Sequence, residues 1–325
     1  MHITRISALI VAGTVALGLS ACASDSGDGG AADDGSYMIG IANFTLDGPY
    51  FSGMDKAIKD EAEKQGAETI STDADGDAAK LASNVEDLIS KSVDAVVISG
   101  GPLESAPAVL NSLAAANIPV VLVDRKFATG EYTSWIGPDN EQIGVQNGEY
   151  LESILPPDGG KVGIIKGGPA DNSIGSRAPT ASSRCSPRTR RSRSSKRPTS
   201  ATGGGRTAAF RSWRASSRPP PDLVAVFCEN DAMCLGAQRA IENAGLSDQI
   251  VLAAVDGQLE ALEAIAKPSN YVVTGLNSAD EIGRLGLNRA LDILAGKEVE
   301  KDTVVPSPQI TEDNAQEFID KGGTF

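Results

Sequence analysis

The stretch MIGIANFTLDGPYFSGMDKAIKDEAEKQG, residues 38–66, joins a short apolar run to an amphipathic one. Met38–Asn43 has the composition of a buried strand, and Gly53–Gln65 repeats its apolar positions at the helical period. Gly66 stands where such a helix should end. A strand followed by a loop and a helix is the repeating unit of folds with a mainly parallel sheet.

The same unit recurs along the chain in two sets, one before and one after about residue 138. We therefore expect an α/β fold with two lobes, each a doubly wound parallel sheet, joined by a hinge. Ligands of such sheets bind outside the carboxyl ends of the strands. The predicted strands are Met38–Asn43, Asp94–Ser99, Val120–Val123, Val162–Ile165, Leu223–Phe227, Ile250–Ala254 and Tyr271–Gly275. The predicted helices are Gly53–Gln65, Ala78–Lys91, Ser105–Ala116, Gln142–Ile154, Ala232–Ala244 and Glu281–Ala295, with Gly245 and Gly296 as further stops.

The lobes are expected to exchange segments near the end of the chain. The predicted N-terminal lobe is 37–138 plus about 278–304, and the predicted C-terminal lobe is 139–277 plus about 305–325. Asp139 and Asn140, at the first crossover, are expected to cap a helix and brace the hinge rather than to act as catalytic groups.

Composition excludes several functions. The 325 residues carry a net charge of −14, which argues against nucleic-acid binding because that needs a basic face. The only histidine is His2, which lies in the predicted cleaved leader described below. A Ser-His-Asp triad and a His-ligated zinc are therefore excluded from the chain that remains after cleavage. No cofactor or metal is expected. Cys228 and Cys234, among apolar neighbours, are expected to be buried free thiols.

The N-terminus has the layout of a secretory leader. A polar start with Arg5 precedes the apolar run 6–19, which is too short for a comfortable membrane span. It ends in LSAC, residues 19–22, which resembles a bacterial lipobox. Residues 1–22 are therefore predicted to be a lipoprotein signal peptide with Cys22 as the lipidated residue, and the Gly/Ser/Asp-rich 23–36 a flexible tether. An ordinary signal peptide with an incidental cysteine is the alternative.

One stretch breaks the pattern. Residues 177–219 hold 12 of the 29 Lys and Arg residues and no Asp or Glu, and no Ile, Leu, Val or Met occurs between Ile174 and Leu223. A disordered basic arm and a solvated linker are both compatible with this composition. Neither explains why it stands where a helix and a strand should follow Gly175.

A local frameshift explains the stretch better. Pro179 to Ser183 can be encoded so that the shifted frame reads Asp-Gly-Phe-Lys, and permitted codons continue it as an amphipathic helix and an apolar strand. Each TCN serine codon becomes NTC in that frame, which always encodes an apolar residue. We therefore expect 177–219 to be frameshifted or disordered.

Five segments in order resemble the ribose-binding-protein-like family of periplasmic sugar-binding proteins. The resemblance covers about 38–176 and 221–310, and it implies a hinged, two-lobed, type I periplasmic binding protein that is not an enzyme. Such a protein closes over a monosaccharide and delivers it to an ABC importer permease. The segments are IGIANFTLDGPYF at 39–51, NIPVVLVDR at 117–125, GPDNEQIG at 137–144, AVFCENDAMCLGAQRA at 225–240 and AAVDG at 253–257.

The resemblance implies a set of ligand residues that suits a sugar, which has apolar ring faces and a belt of hydroxyls. Tyr50 and Phe51 match stacking aromatics, and their alternative is ordinary packing. Asp124 and Arg125 match an Asp-Arg pair that makes charge-assisted hydrogen bonds, with a surface ion pair as the alternative.

Further ligand residues are implied in the predicted C-terminal lobe. Asn230 and Asp256 match an asparagine and an aspartate at strand ends, and Asn277 matches a polar residue near the hinge. Asp231 is expected to cap the helix after Asn230. Arg177 corresponds to one of two family arginines, of which the second touches sugar.

The N-terminal loop adds a weaker candidate and some departures from the family. Asp47, in the loop after the first strand, is the weaker candidate. Phe44, Gly48 and Val255 replace family residues, so we do not expect the ligand to be held as ribose is.

The leading hypothesis is an extracytoplasmic lipoprotein, monomeric and anchored to the outer face of the cell membrane by lipid. A furanosyl signal molecule or a polyol is the alternative ligand. An exported carboxylate-dependent hydrolase, with Asp124 and Asp256 as an acid/base pair, is the alternative of another class. A transcription regulator of the same fold would need a helix-turn-helix where the leader stands.

Overall fold

The computed structural model describes residues 36–101, 108–127, 130–166, 222–322 and 325. Its strands form two separate sheets, each wrapped by helices on both faces. The strands are β1 Met38–Asn43, β2 Glu68–Asp73, β3 Ala95–Ser99, β4 Val120–Val123, β5 Ser134–Pro138, β6 Lys161–Ile165, β7 Leu223–Cys228, β8 Val251–Asp256, β9 Tyr271–Leu276, β10 Asp302–Val305 and β11 Gln309–Thr311. The helices are α1 Pro49–Gln65, α2 Ala78–Ser90, α3 Ala108–Ala115, α4 Asn140–Ile154, α5 Asp231–Asn243, α6 Leu259–Ile265, α7 Ala279–Leu294 and α8 Ala315–Lys321.

The first sheet has the strand order β10-β5-β4-β3-β1-β2, and all of its strands run parallel. Successive side chains of a strand point to opposite faces, so the apolar run of β1 serves two cores. Ile39 and Ile41 pack with α1 and α7, while Ala42 packs with α2 and α3 on the other face. A sheet that is buried on both faces needs near-continuous apolar strands, which this sequence provides.

The second sheet has the order β11-β9-β8-β7-β6, and β11 is its antiparallel member. Helices α5, α6 and α8 share one core with it, and α4 packs on the other face. Among the described residues, strand β6 is one of the two edge strands of this sheet. Its side chains Val162 and Ile164 are 45% and 42% exposed, unlike those of β1.

Within the described residues the chain passes between the sheets three times. It crosses between β5 and α4, between β9 and α7, and between β10 and β11. Helix α7 packs on α1 of the first sheet, and α8 packs on α6 of the second. Among the helices that the structure describes, none has the length and hydropathy of a membrane span.

The helix ends follow local chemistry, with some differences from the predicted bounds. Helix α1 begins at Pro49 and not at Gly53, because proline is pre-set for the first turn of a helix. Asp139 caps α4 as predicted, accepting hydrogen bonds from two main-chain N–H groups. Gly66 adopts a left-handed conformation with φ 73°, which ends α1.

The prediction that Cys228 and Cys234 are free thiols is wrong. The two residues form a disulfide, with Cα atoms 5.5 Å apart. Cys228 ends β7 and Cys234 lies in the first turn of α5, so the strand-to-helix turn brings them within bonding distance. Their burial, which was expected, is equally compatible with a disulfide.

Candidate ligand-binding site

Polar side chains follow the carboxyl ends of parallel strands in both sheets. Asp124 follows β4 of the first sheet, Asp256 ends β8 of the second, and Asn277 follows β9. Asp124 and Asp256 have φ angles of 65° and 121°, a region that favours glycine. Such backbone strain concentrates at functional sites, because the surrounding structure must maintain it.

Asp124 is the centre of a buried polar cluster. Its Oδ1 accepts hydrogen bonds from the Tyr50 hydroxyl at 3.1 Å and from Asn277 Nδ2 at 3.3 Å. Its Oδ2 pairs with Arg125 Nε at 3.0 Å. Tyr50 lies in α1, which packs on the first sheet, and Arg125 lies in the loop after β4 of that sheet. Asn277 follows a strand of the second sheet. The cluster therefore joins the strand ends of the two sheets.

Asp256 lies beside this cluster and is almost fully buried. The main-chain N–H of Asn277 donates to its carbonyl at 3.0 Å. Burial raises the pKa of the Asp256 carboxyl well above its ordinary value, and the nearby carboxylates of Asp231 and Asp124 raise it further. Arg125 and a hydrogen bond from Asn277 oppose that shift. The raised pKa favours the neutral form of Asp256, and Asp124 is paired with Arg125, so the cluster offers hydrogen-bonding groups with little net charge, which suits a neutral ligand rich in hydroxyl groups.

Aromatic rings close one side of the cluster. Tyr50 meets the rings of Phe51 and Phe325 edge to face, with centroids 5.2 Å and 5.3 Å away. Burial raises the pKa of the Tyr50 hydroxyl well above its ordinary value, with Asp124 and Asp256 adding to the shift, so the phenol stays protonated and donates. This arrangement offers apolar surface next to hydrogen-bonding groups.

The helix-capping role predicted for Asp231 is wrong. Asn230 is the residue that caps α5, because its Oδ1 accepts from Met233 N at 2.8 Å. Asp231 is turned inward and is completely buried. An Asn-Asp pair at a helix start offers two capping side chains, and sequence alone cannot tell which one takes the role. The Asn230 oxygen thus bonds its own helix and not the cluster around Asp124.

Of the remaining candidates, Asp47 is the one that belongs to the described residues. Asp47 is exposed, and its N–H donates to Thr45 Oγ1 at 3.0 Å. Arg177 and the predicted lipidation site Cys22 fall outside the described residues.

Sequence reasoning missed two contacts of the site. Trp135, in β5, donates its indole N–H to the Asp124 carbonyl at 3.3 Å. Phe325 packs on Tyr50, and its main-chain oxygen accepts from Leu259 N at 3.2 Å. Neither residue carries a local signal, since each is brought to the site by a distant part of the chain.

Two mainly parallel sheets of this topology, linked by repeated crossings and joined at their strand ends by a polar cluster, define a two-lobed binding protein of the type I periplasmic binding fold. The chain belongs to the periplasmic binding protein domain family, which matches residues 39–298.

Individual relatives agree with this assignment. A ribose import binding protein of Bacillus subtilis (strain 168) is 31% identical over 274 residues, covering 83% of this chain and 86% of that protein. A xylitol-binding protein of Mycolicibacterium smegmatis is 27% identical, covering 98% of this chain and 89% of its own. The crystal structure of an ABC transporter solute-binding protein from Mycobacterium smegmatis with bound glycerol superimposes with a TM-score of 0.77 at 29% identity, covering 88% of this chain and 97% of that chain.

Proposed function

We propose that this protein captures a small sugar outside the cell membrane and delivers it to an ABC importer, without catalysing a reaction. The observation that carries the proposal is the buried cluster of Asp124, Arg125, Asn277 and Tyr50, which spans the strand ends of both sheets. Relatives whose names describe ribose, fructose, allose and xylitol binding support a polyhydroxylated ligand.

The cluster has the groups that a sugar needs. Carboxylates accept hydrogen bonds from ligand hydroxyls, and Arg125 donates to hydroxyl oxygens. The Oδ1 atom of Asn277 is buried and has no hydrogen-bond partner among the described residues. A ligand hydroxyl that donates to this oxygen would satisfy it, which a buried acceptor requires. Tyr50 and Phe51 are proposed to pack on an apolar ring face, with Asp256 and Asn230 adding contacts from the second sheet.

Hinge closure is the proposed mechanism. A ligand that contacts both lobes favours the conformation in which the two sets of contacts are made together, so its binding shifts the population toward the closed form. Asp124 already bonds Asn277 across the two sheets. The importer permease would then recognise the closed form. The lobes are proposed to be 37–138 with 278–304, and 139–277 with 305–325.

The proposed location rests on the sequence of the N-terminus. Cleavage before Cys22 and lipidation of its sulfur would hold a monomeric protein at the outer face of the membrane, with 23–36 as tether. C22S should release the protein from the membrane fraction and abolish incorporation of labelled palmitate. Retention of C22S with unchanged labelling would contradict the anchor.

A polyol is the second candidate ligand, favoured by the relative named for xylitol and by the structure with glycerol. The hydrolase alternative is weakened by the geometry of Asp124. Both of its oxygens are engaged, Oδ1 by Tyr50 and Asn277 and Oδ2 by Arg125, which leaves it poorly placed to exchange protons with a substrate.

Measuring the unfolding temperature with each of five compounds tests the proposal. The compounds are D-ribose, D-allose, D-fructose, L-arabinose and the polyol xylitol. A true ligand at 1,000 times its Kd stabilises the native state by about 4 kcal/mol, which is a shift of several degrees. D124N should abolish the shift, because an amide has no charge to balance Arg125 and only one oxygen to accept hydrogen bonds. D248N removes an exposed carboxylate in the turn between α5 and β8 and should keep the shift. No stabilisation of the wild type by any compound would overturn the proposal.

A further inference from the structure

Asp231 is a buried acid that the proposed site does not use directly. It is the first residue of α5, its side chain is fully buried, and it directly follows Asn230. Its carboxylate is turned away from the helix start and into the space between β9 and the loop that follows β8.

Four neutral donors meet on this carboxylate. The Tyr271 hydroxyl and Thr274 Oγ1 donate to Oδ1 at 2.5 Å and 2.7 Å. The main-chain N–H groups of Gly257 and Gln258 donate to Oδ2, each at 2.7 Å. One side chain therefore connects the start of α5, strand β9 and the loop after β8.

The loop that Asp231 holds begins with a strained ligand candidate. Asp256 has a φ of 121°, a conformation that costs a non-glycine residue free energy. The two N–H groups directly after it are bound by Asp231, and its own carbonyl is bound by Asn277 N. Contacts on both sides thus hold the main chain of Asp256 in its strained form.

We infer that Asp231 is a positioning residue, which fixes the main chain at 256–258 so that the Asp256 side chain faces the polar cluster around Asp124. Only the statement that Asp256 contacts a ligand rests on the proposed function; the statement that Asp231 holds the main chain does not. Asp231 itself touches none of the cluster atoms around Asp124 in the described contacts, so it acts through Asp256.

An aspartate is needed because both of its oxygens must accept two hydrogen bonds. In D231N one oxygen is replaced by an NH₂ group, which can donate to the two hydroxyls but cannot accept from the two N–H groups. The remaining amide oxygen is uncharged, so the N–H pair loses its charged acceptor in either orientation of the amide. The loop cannot compensate by shifting freely. Gly257 has a φ of 80°, and a Cβ there would lie 2.7 Å from Leu276 Cδ1, so the backbone is tightly packed.

Amide hydrogen exchange on the full chain tests the inference without a ligand. In D231N the Gly257 and Gln258 amides should exchange about tenfold faster or more, since each loses a hydrogen bond to a charged group. The matched control is T274V, which removes a donor to Oδ1 and leaves Oδ2 intact. Unchanged exchange in D231N, or equal acceleration in T274V, would show that Asp231 does not hold the loop.

A wild-type measurement covers the case in which D231N does not fold. The Gly257 and Gln258 amides should be protected like those of the strands, in contrast to the Asp47 amide in the exposed loop after β1. Equally rapid exchange at all three amides would overturn the inference.

A double-mutant cycle then tests the action through Asp256, with whichever of the five compounds stabilises the wild type. D231N should weaken its binding about tenfold in the wild type and have little effect in a D256N background, because the contact it serves is already altered. Equal losses in both backgrounds would mean that Asp231 does not act through Asp256. If no sugar binds the wild type, the proposed function fails, while the exchange experiment still decides whether Asp231 holds the loop.

Discussion

Strands β1 and β6 are each the first strand of their sheet in chain order, yet they have different surroundings. β1 lies between β2 and β3, and Ile39 and Ile41 are fully buried. β6 pairs only with β7 among the described residues, and Val162 and Ile164 remain nearly half exposed. Both strands have an apolar, β-branched sequence. The difference shows that such a strand is buried only if the next part of the chain can cover it.

The segments that follow the two strands differ in composition. After β1 the chain supplies α1 and β2, with Met54 and Ile58 packing on the sheet. After β6 there is no Ile, Leu, Val or Met from residue 175 to 222. Apart from Phe210 and Trp213, such a segment has no large apolar side chain that could cover Val162 and Ile164. After β6, the described residues contain no counterpart of α1 and β2. The frameshift hypothesis accounts for this asymmetry, because the shifted frame restores an apolar pattern in that part of the chain.

Restoring the frame should have the largest effect. A chain carrying the shifted-frame sequence over 180–219 should unfold at a temperature higher by roughly 5–10 °C, since covering Val162 and Ile164 contributes about 3 kcal/mol or more. Differential scanning calorimetry measures the change. A scrambled version of the shifted sequence is the control, and equal stabilities of the restored and scrambled chains would contradict the hypothesis.

Paired alanine substitutions test the comparison of the two strands directly. I41A should lower the free energy of unfolding by about 2–5 kcal/mol, because it leaves a cavity in a closed core. I164A should change it by no more than about 0.5 kcal/mol, as expected at a surface. Urea unfolding measures both. Equal costs would mean that β6 is covered after all, and in the frame-restored chain the cost of I164A should rise toward that of I41A.

The disulfide is a further difference between the two sheets, since it links β7 of the second sheet to α5 across the turn that joins them. Removing it in C228S/C234S should destabilise the protein by roughly 2 kcal/mol, the value expected for a short closed loop. Thermal unfolding with and without dithiothreitol checks this. The reductant should lower the midpoint of the wild type and leave that of the double variant unchanged; a midpoint that falls equally in both would point to another cause.

The two sheets should also respond differently to pH, with an effect on the order of 1 kcal/mol per pH unit. Burial raises the pKa of Asp256 well above its ordinary value and that of Asp231 to about 6, and both belong to the second sheet. Because the folded state holds these protons more tightly, their contribution to stability is fully present below about pH 4 and falls as the pH rises toward about 6 and beyond.

D256N removes one of these two ionisations. Its stability relative to the wild type should therefore increase as the pH rises above about 4, as measured by urea unfolding between pH 4 and pH 8. D248N is the control, since it alters an exposed carboxylate. A difference between D256N and the wild type that stays constant with pH would show that Asp256 ionises normally in the folded protein.

Much of the fold could be predicted because its strong patterns are local. All seven predicted strands are present, and the six predicted helices are found with shifted ends. The strands that were missed, β2, β5, β10 and β11, include polar, half-buried or very short segments. Their positions depend on pairing with partners far along the chain, which periodicity does not reveal.

The candidate site was predictable in part for a related reason. Asp124, Asp256 and Asn277 stand at strand ends, where the topology alone places ligand residues. The capping role of Asn230 and the inward turn of Asp231 were not predictable, because both residue types suit a helix start. The disulfide was missed because two cysteines six residues apart are brought together only by a specific turn.

By itself the sequence determined the class of this protein. Alternating apolar runs and amphipathic stretches commit the chain to two parallel sheets, and the ordered segments mark its family, because these signals lie within neighbouring residues. Only the tertiary structure decided which carboxylate meets which donor. The bonds of Asp124 to Tyr50 and Asn277 span 74 and 153 positions. Folding alone brings such distant groups within hydrogen-bond distance, and burial then makes each pairing obligatory.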